Sequence, residues 1–392
     1  MSNLVADQLE AQMSGCRLRI LIVGAGIAGA TLNALLRQRG ERPAMIERNP
    51  AHSGSGYMLG LMPLGGRVLN GLGLSEALAR DSLDMRYYEI FDRHGQSINR
   101  YDLSELFERF GALRGVERGK LLSLLRNASG PICYDTKVKS FENVTNGALA
   151  QFEDGSQLEF DVIVGADGIH SATRHQILSA NDVEDFDTGW GGFVMWSNWD
   201  GFADDTYAEL WSSGWGLGLY PVPGRIGMFV AGRHDELHQV NGEDYAKKIE
   251  AQLPDGPFRK ALQARDHADR PTYWKMADCR SKTWSNGRIV LLGDAAAAFL
   301  PTAGVGASAA MDSAAALADE LSRADAKHMH YALELFEKRQ KHRVETAEKN
   351  SRDLSKLMFI NSAPGAWARD KLMEFYTLKH LIDDISKVMS GD

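Results

Sequence analysis

The segment RILIVGAGIAGATLNALLRQRGERPAMIER, Arg19 to Arg48, constrains this chain more than any other. A short apolar run, Ile20 to Val23, enters a turn that holds Gly24, Gly26 and Gly29. The pattern predicts a helix to about Arg39, a stop at Gly40 and a second apolar run ending in Glu47. Gly24 permits a tight strand-to-helix turn, and Gly26 lets backbone N–H groups approach a pyrophosphate. Gly29 lets helix and strand pack closely, and the helix start offers its positive dipole end to phosphates. Glu47 stands 18 residues beyond Gly29, where a carboxylate can accept hydrogen bonds from an adenosine ribose. Strand, glycine turn, helix, second strand and acid together point to dinucleotide binding.

Bulk properties narrow the class. A chain of 392 residues allows two or three domains, and 44% hydrophobic with 24% charged residues is ordinary for a globular protein. The formal charge of −8 argues against nucleic acid, because a phosphate polymer would be repelled. Cys16, Cys133 and Cys279 are odd in number and far apart, which suggests reduced thiols in a cytoplasmic compartment. The first 15 residues are polar and slightly acidic, unlike a signal peptide. No apolar run has the length to cross a bilayer.

Along the chain, His52 to Leu74 reads as a glycine-rich loop entering a helix near Leu64, and Tyr87 to Ile98 as a hairpin turning at His94-Gly95. Leu121 to Arg126 reads as helix, and Val138 to Val144 and Leu149 to Phe152 as strands, with Asp154-Gly155 closing a hairpin. Phe160 to Val164 and Ile289 to Leu292 have the texture of strands buried on both faces. Between them, Trp190 to Gly232 carries five of the eight tryptophans in glycine-punctuated segments, the pattern of an antiparallel sheet. From Gly304 onward the chain is nearly all helical. Glu334–Lys338, Glu337–Lys341, Glu345–Lys349 and Glu348–Arg352 lie four apart, acid first, which predicts a solvated helix face; so does the basic patch from Lys338 to Arg343. Pro364-Gly365 is expected to break the run before an amphipathic helix with Leu372, Phe375, Leu378, Ile382, Ile385 and Met389.

Two further motifs bear on the cofactor. VGADGIHSATR, Val164 to Arg174, places Asp167 and Gly168 at the end of a buried strand and Ser171 in helix-capping position; alone, Asp167 reads equally as a turn residue. Gly287 to Leu321 carries a buried strand ending in Gly293-Asp294, a proline loop, and a second glycine turn, Gly304, Gly306 and Ala309, that opens an alanine-rich helix. An aspartate there can accept hydrogen bonds from a polyol such as a ribityl chain. A glycine-rich helix start can aim N–H groups at an oxygen carrying partial negative charge.

In this order, the three motifs resemble those of the para-hydroxybenzoate hydroxylase-like, group A FAD-dependent aromatic monooxygenases. The resemblance, which runs from about Arg17 to about Arg352, implies an α/β (α+β two-domain) chain: a Rossmann-like FAD-binding domain at 17–85, 112–180 and 285–360, interrupted by an antiparallel-sheet substrate domain at 86–111 and 181–284; the amphipathic pattern adds a C-terminal helix at 361–392. Gly24, Gly26, Ile27, Ala28, Gly29, Glu47 and Arg48 would hold the ADP half. Arg118 matches the arginine of the family's R-x-x-L helix, and Asp167-Gly168 its DG motif. Gly293 and Asp294 would meet the flavin ribose; Pro301, Gly304, Val305 and Gly306 would line the ring. Three positions depart from the family: Ala297 stands where histidine is frequent, Ser308 where asparagine is, and Ser53-Gly54-Ser55-Gly56 where an arginine is common.

The implied activity is hydroxylation of a small aromatic or polycyclic substrate, antibiotic-like and secondary-metabolite molecules included, by O₂ through a flavin C4a-hydroperoxide. NADPH or NADH would serve as a transient donor, since only one full βαβ site is present. Such chemistry needs an enclosed apolar chamber, for which the aromatic sheet is suitable material; Trp211 and Tyr220 are candidate pocket residues. No base for a phenolic substrate stands out. A flavin-dependent halogenase or reductase is an alternative, although Trp196-Ser-Asn-Trp199 does not fit the halogenase WxWxIP segment. A non-catalytic flavin-binding protein is another, with Ala297 and Ser308 as its support. His234 and His238, four apart in a polar segment, are not read as a metal site. Monomer and homodimer both remain open.

Overall fold

The computed structural model describes residues 4–51 and 56–373. Ser53 to Ser55, and the stretch expected to form a final helix from Phe375 onward, lie outside the described residues. At the centre, Ile289–Leu291, Val162–Gly165, Ile20–Val23 and Ala44–Ile46 form a parallel sheet in that spatial order, with Ser285–Asn286 as an antiparallel edge. These strands are short and wholly apolar because helices cover both faces. Ile20, Leu21, Ile22, Val162, Ile163, Val164 and Val290 are fully buried, and each such side chain contributes about 1.5–3 kcal/mol. Helices Ile27–Gln38 and Gly306–Arg323 pack against each other. Register sets Val23 opposite Gly165 and Gly165 opposite Leu291. Three segments distant in sequence therefore leave the sheet at one edge.

The aromatic region forms most of an eight-stranded sheet. Its order is Ala297–Ala298, Thr272–Ser281, Val183–Ser197, Arg225–Arg233, Trp215–Val222, Thr206–Trp211, Tyr87–Phe91, Ser97–Asp102. Pairing is antiparallel except between Thr206–Trp211 and Tyr87–Phe91. The hairpin at Tyr87–Phe91 and Ser97–Asp102 forms as its turn residues suggest, with Gly95 at φ +74°. Side chains alternate between two faces. Phe193, Met195, Leu210, Leu217, Leu219, Met228 and Val230 face outward, under helices Gly242–Glu250 and Pro257–Gln263. Trp190, Tyr207, Trp211, Tyr220 and Phe229 belong to clusters on the other face. That inward face rests on a small sheet of Met58–Leu61, Leu113–Glu117 and Ser82–Met85. A Cβ on Gly115 would come 2.4 Å from the Pro221 carbonyl, so glycine sets how closely the sheets approach.

Two expectations for the C-terminal helices need correction. The helix Met329–Met358 does not present all four acid–base pairs to solvent: Glu348 is fully buried. Arg280 Nε donates to it at 2.6 Å, and Arg352 donates to Asp278 through Nε at 2.9 Å and a terminal nitrogen at 2.6 Å. Arg352 also reaches Glu184 at 2.8 Å. Spacing along a helix shows which residues share a face, not what that face meets; here it meets Asp278 and Arg280 of Thr272–Ser281. Glu337–Lys341 does pair at 3.2 Å, while Glu337 also accepts the Trp284 amide at 2.9 Å. Pro364 and Gly365 do not interrupt a helix but sit in the first turn of Ala363–Met373, where proline needs no N–H partner.

Removing one partner of this buried cluster strands the rest, so Arg352→Met should cost about 3–5 kcal/mol in urea unfolding. Burial pushes Glu348 from an ordinary 4.5 up to about 7. Between those values the folded state binds more protons than the unfolded one, so this residue's contribution to stability falls as pH rises through that window. Glu348→Gln should flatten the stability–pH curve there; an unchanged slope contradicts the assignment.

Candidate active site

Three loops leave the parallel sheet side by side and interlock. Gly24 follows the first strand at φ +106°, and a Cβ there would lie 2.5 Å from the Ala166 carbonyl of the second loop. Gly293, in the third loop at φ +62°, would bring a Cβ within 2.8 Å of Ala28. Arg174 ties the later two together. Its buried guanidinium donates to the carbonyls of Ile169 at 2.5 Å and Ala295 at 3.0 Å. Arg126 donates through Nε to the Ala25 carbonyl at 2.9 Å, fixing the first loop from a fourth direction.

The sequence-derived residues fall on this edge in different roles. Ile27, Ala28 and Gly29 form the first turn of Ile27–Gln38, whose N-terminus at Gly26 has no side-chain cap. Nor has the start of Gly306–Arg323, preceded by Val305. Both helices thus leave first-turn N–H groups for a ligand. Gly304 is left-handed at φ +62° after a short turn, Pro301–Ala303, that Thr302 pins by donating to the Ser351 carbonyl at 2.8 Å. Glu47 is buried and largely committed to the chain: it accepts the Ala25 amide at 2.9 Å and the Asn49 amide and side chain at 3.0 and 2.8 Å. About four acceptor positions exist on a carboxylate, so one remains for a ribose hydroxyl. Arg48 is exposed just beyond it. Asp167 accepts the Ser171 hydroxyl and both the amide and hydroxyl of Thr173. Its side chain holds the start of Ala172–Ile177, where Ser171 is the cap, and the adjoining Gly168 is left-handed at φ +83°.

Asp294 is different. Its carboxylate takes no hydrogen bond from any described residue and the residue is solvent-accessible, yet desolvation raises its carboxyl pKa while Arg118 and then Arg174 pull it down. A carboxylate that is accessible and also surrounded by protein lines a channel, not the outer surface. Gly293, Asp294, Gly306 and Ala309 share one narrow cleft. Arg118 begins the helix Arg118–Ala128, donates its amide to the Tyr57 carbonyl at 2.7 Å and holds its guanidinium 5.3 Å from the Tyr57 ring. An uncommitted acceptor beside two uncapped helix starts and an arginine suits a long ligand with phosphates in the middle and hydroxyls beyond. A separate open groove of about 600 Å³ beside Gly287, Lys338 and Lys341 lies at the opposite end of the strand Ile289–Leu291 and contains none of these residues.

A profile of the FAD binding domain family matches residues 17–351. The chain belongs to that family. FAD is its cofactor, and the uncapped helix starts, left-handed glycines and open Asp294 carboxylate fit it. Among similar proteins, aurachin C monooxygenase/isomerase from Stigmatella aurantiaca is 26% identical over 91% of this chain and 94% of its own length. A 3-amino-4-hydroxybenzoate 2-monooxygenase from Streptomyces cremeus is 28% identical, covering 91% of each. The structure of Klebsiella pneumoniae HpxO with FAD and uric acid superposes with a TM-score of 0.83 at 21% identity, over 95% of this chain and 96% of that one. The chain is an FAD-dependent oxidoreductase of the monooxygenase kind.

The departures from the family pattern have local explanations. Ala297 is buried in a two-residue strand that pairs with Cys279 and Arg280. Ser308 accepts the Met62 amide at 3.0 Å, joining the second glycine corner to the start of helix Pro63–Gly71. Sequence reasoning gives Arg174 no role; its place three residues after the cap is the available signal. It also misses Glu209, whose carboxylate accepts from Tyr88, Trp211 and Tyr220. The two pocket candidates are therefore linked through an acid that alternation in TYAELW places on their face.

Asp294→Ala should weaken FAD about ten- to a hundredfold, the worth of hydrogen bonds to a charged group at about 1.5–3 kcal/mol. Titration of the apoprotein by flavin fluorescence measures this. Unaltered affinity would remove Asp294 from the site.

Proposed function

We propose that this monooxygenase hydroxylates a small aromatic or polycyclic substrate with O₂, taking electrons from NADPH or NADH. The observation that carries the reading is the meeting of three strand-end loops around an open Asp294 next to an aromatic sheet face. Gly24 to Gly29, with Glu47 and Arg48, would hold the ADP half; Asp294 and Arg118 would hold the ribityl side; Pro301 and Gly304 to Gly306 would back the ring. Bound FAD supplies hydride acceptance from the donor and activation of O₂.

The chain's own part is enclosure and positioning. Trp190 stacks on Phe359 at 4.7 Å, and Phe229 and Leu300 pack with them. Tyr207 meets Tyr220 edge-to-face at 5.3 Å. These rings form an apolar wall that would keep water from a reactive oxygen centre and orient a flat substrate by its faces. We divide the chain functionally into the FAD-binding segments and the inserted sheet. We place it in the cytoplasm, a reading supported by free thiols at Cys16, Cys133 and Cys279, and as a monomer or homodimer.

The purified protein should show a flavin spectrum, and aromatic compounds should stimulate its oxidation of NADPH or NADH. With labelled O₂, one labelled oxygen atom should appear in the product ring. Donor oxidation that yields only peroxide with every ring tested, or reduction without oxygen incorporation, would overturn the proposal.

A further inference from the structure

Glu209 lies mid-strand in Thr206–Trp211 and is 8% exposed. Its Oε2 accepts the Tyr88 hydroxyl at 2.8 Å and Trp211 Nε1 at 2.9 Å; Oε1 accepts only the Tyr220 hydroxyl, at 2.8 Å. All three donors are neutral. No lysine, arginine or histidine among the described residues is paired with Glu209. Arg369, from the helix Ala363–Met373 over Trp211, is already engaged by Asp370 and by the Trp211 and Ser212 carbonyls. A buried acid without a counterion is costly, and such groups concentrate where a ligand supplies what the protein withholds.

The placement says what the ligand supplies. Of about four acceptor positions on a carboxylate, three are filled, and the remaining one is on Oε1 beside Tyr220. Tyr220 is only half-buried, as are Met62, Leu354 and Met358 in the same cluster. Met62 also packs with Val305 and Phe299 and donates its amide to Ser308. The cluster that contains Tyr220 thus extends, through Met62, to the corner assigned to the flavin ring. A carboxylate whose protein donors are all neutral favours a cation as its remaining partner. Burial pushes the Glu209 carboxyl up, and a bound cation would favour its ionised form.

We propose that Glu209 is the specificity-determining residue of this chamber, selecting a ring compound with a protonated amine and rejecting one with a carboxylate in its place. The ammonium donates to Oε1 beside the half-buried Tyr220. The chemistry after binding rests on the monooxygenase reading. The preference also departs from the Streptomyces relative, whose name specifies a benzoate.

The test is equilibrium binding of tyramine and of 4-hydroxyphenylpropionate, matched in ring and spacer, to the FAD-loaded protein by fluorescence quenching. Wild type should prefer tyramine at least tenfold. Glu209→Gln should abolish that preference, and Tyr220→Phe, which keeps the charge, should retain it. The proposal is overturned by equal or reversed preference in wild type, by an unchanged ratio in Glu209→Gln, or by loss of the ratio in Tyr220→Phe. Failure of wild type to bind either ring at millimolar concentration overturns it too. A protein that shows the ratio but inserts oxygen into no ring would refute the monooxygenase reading and leave this one standing.

Discussion

Backbone pairing among three parallel strands is the constraint on which the rest depends. Val23, Gly165 and Leu291 are neighbours in the ladder, so the loops after them must emerge together, whatever their separation in sequence. Only small residues can share so little space, which is why Gly24 abuts Ala166 and Gly293 abuts Ala28. Arg174 then fixes the spacing of two loops with one guanidinium. In the site proposed here, cofactor binding would follow largely from strand register, because most of its donors would be backbone N–H groups at helix starts.

That dependence explains what the sequence discloses. A glycine turn between an apolar strand and a helix has few physical alternatives, so Gly24 to Gly29 and Gly304 to Gly306 are legible from spacing. Side chains are less so. Asp167 reads as a cofactor residue by motif, yet its carboxylate holds the start of its own helix. Glu47 is shared between the loop and Asn49. Of these three acids, Asp294 alone has a carboxylate with no partner among the described residues, and nothing in the apolar run before it distinguishes it from Asp167. The buried Glu348–Arg352 pair is illegible for a related reason: helical periodicity is silent about a strand roughly 70 residues away in sequence that carries matching charges.

The inserted sheet divides its aromatics by alternation, one face filling a core under helices and the other carrying the residues proposed to wall a substrate chamber. Outward residues such as Phe193 and Met228 lie under helices. Inward ones surround Glu209, a buried carboxyl held by Tyr88, Trp211 and Tyr220. In the reading proposed above, the ring faces would set the plane of a substrate and Glu209 would set which end enters.

The most direct test of the account is a crystal structure of the protein with FAD bound. The account predicts the pyrophosphate within about 3 Å of first-turn N–H groups at Gly26 to Gly29, the Asp294 carboxylate on the ribityl chain, and the ring against Gly304 to Gly306. A cofactor seated elsewhere, or one touching only one of the three loops, would contradict it.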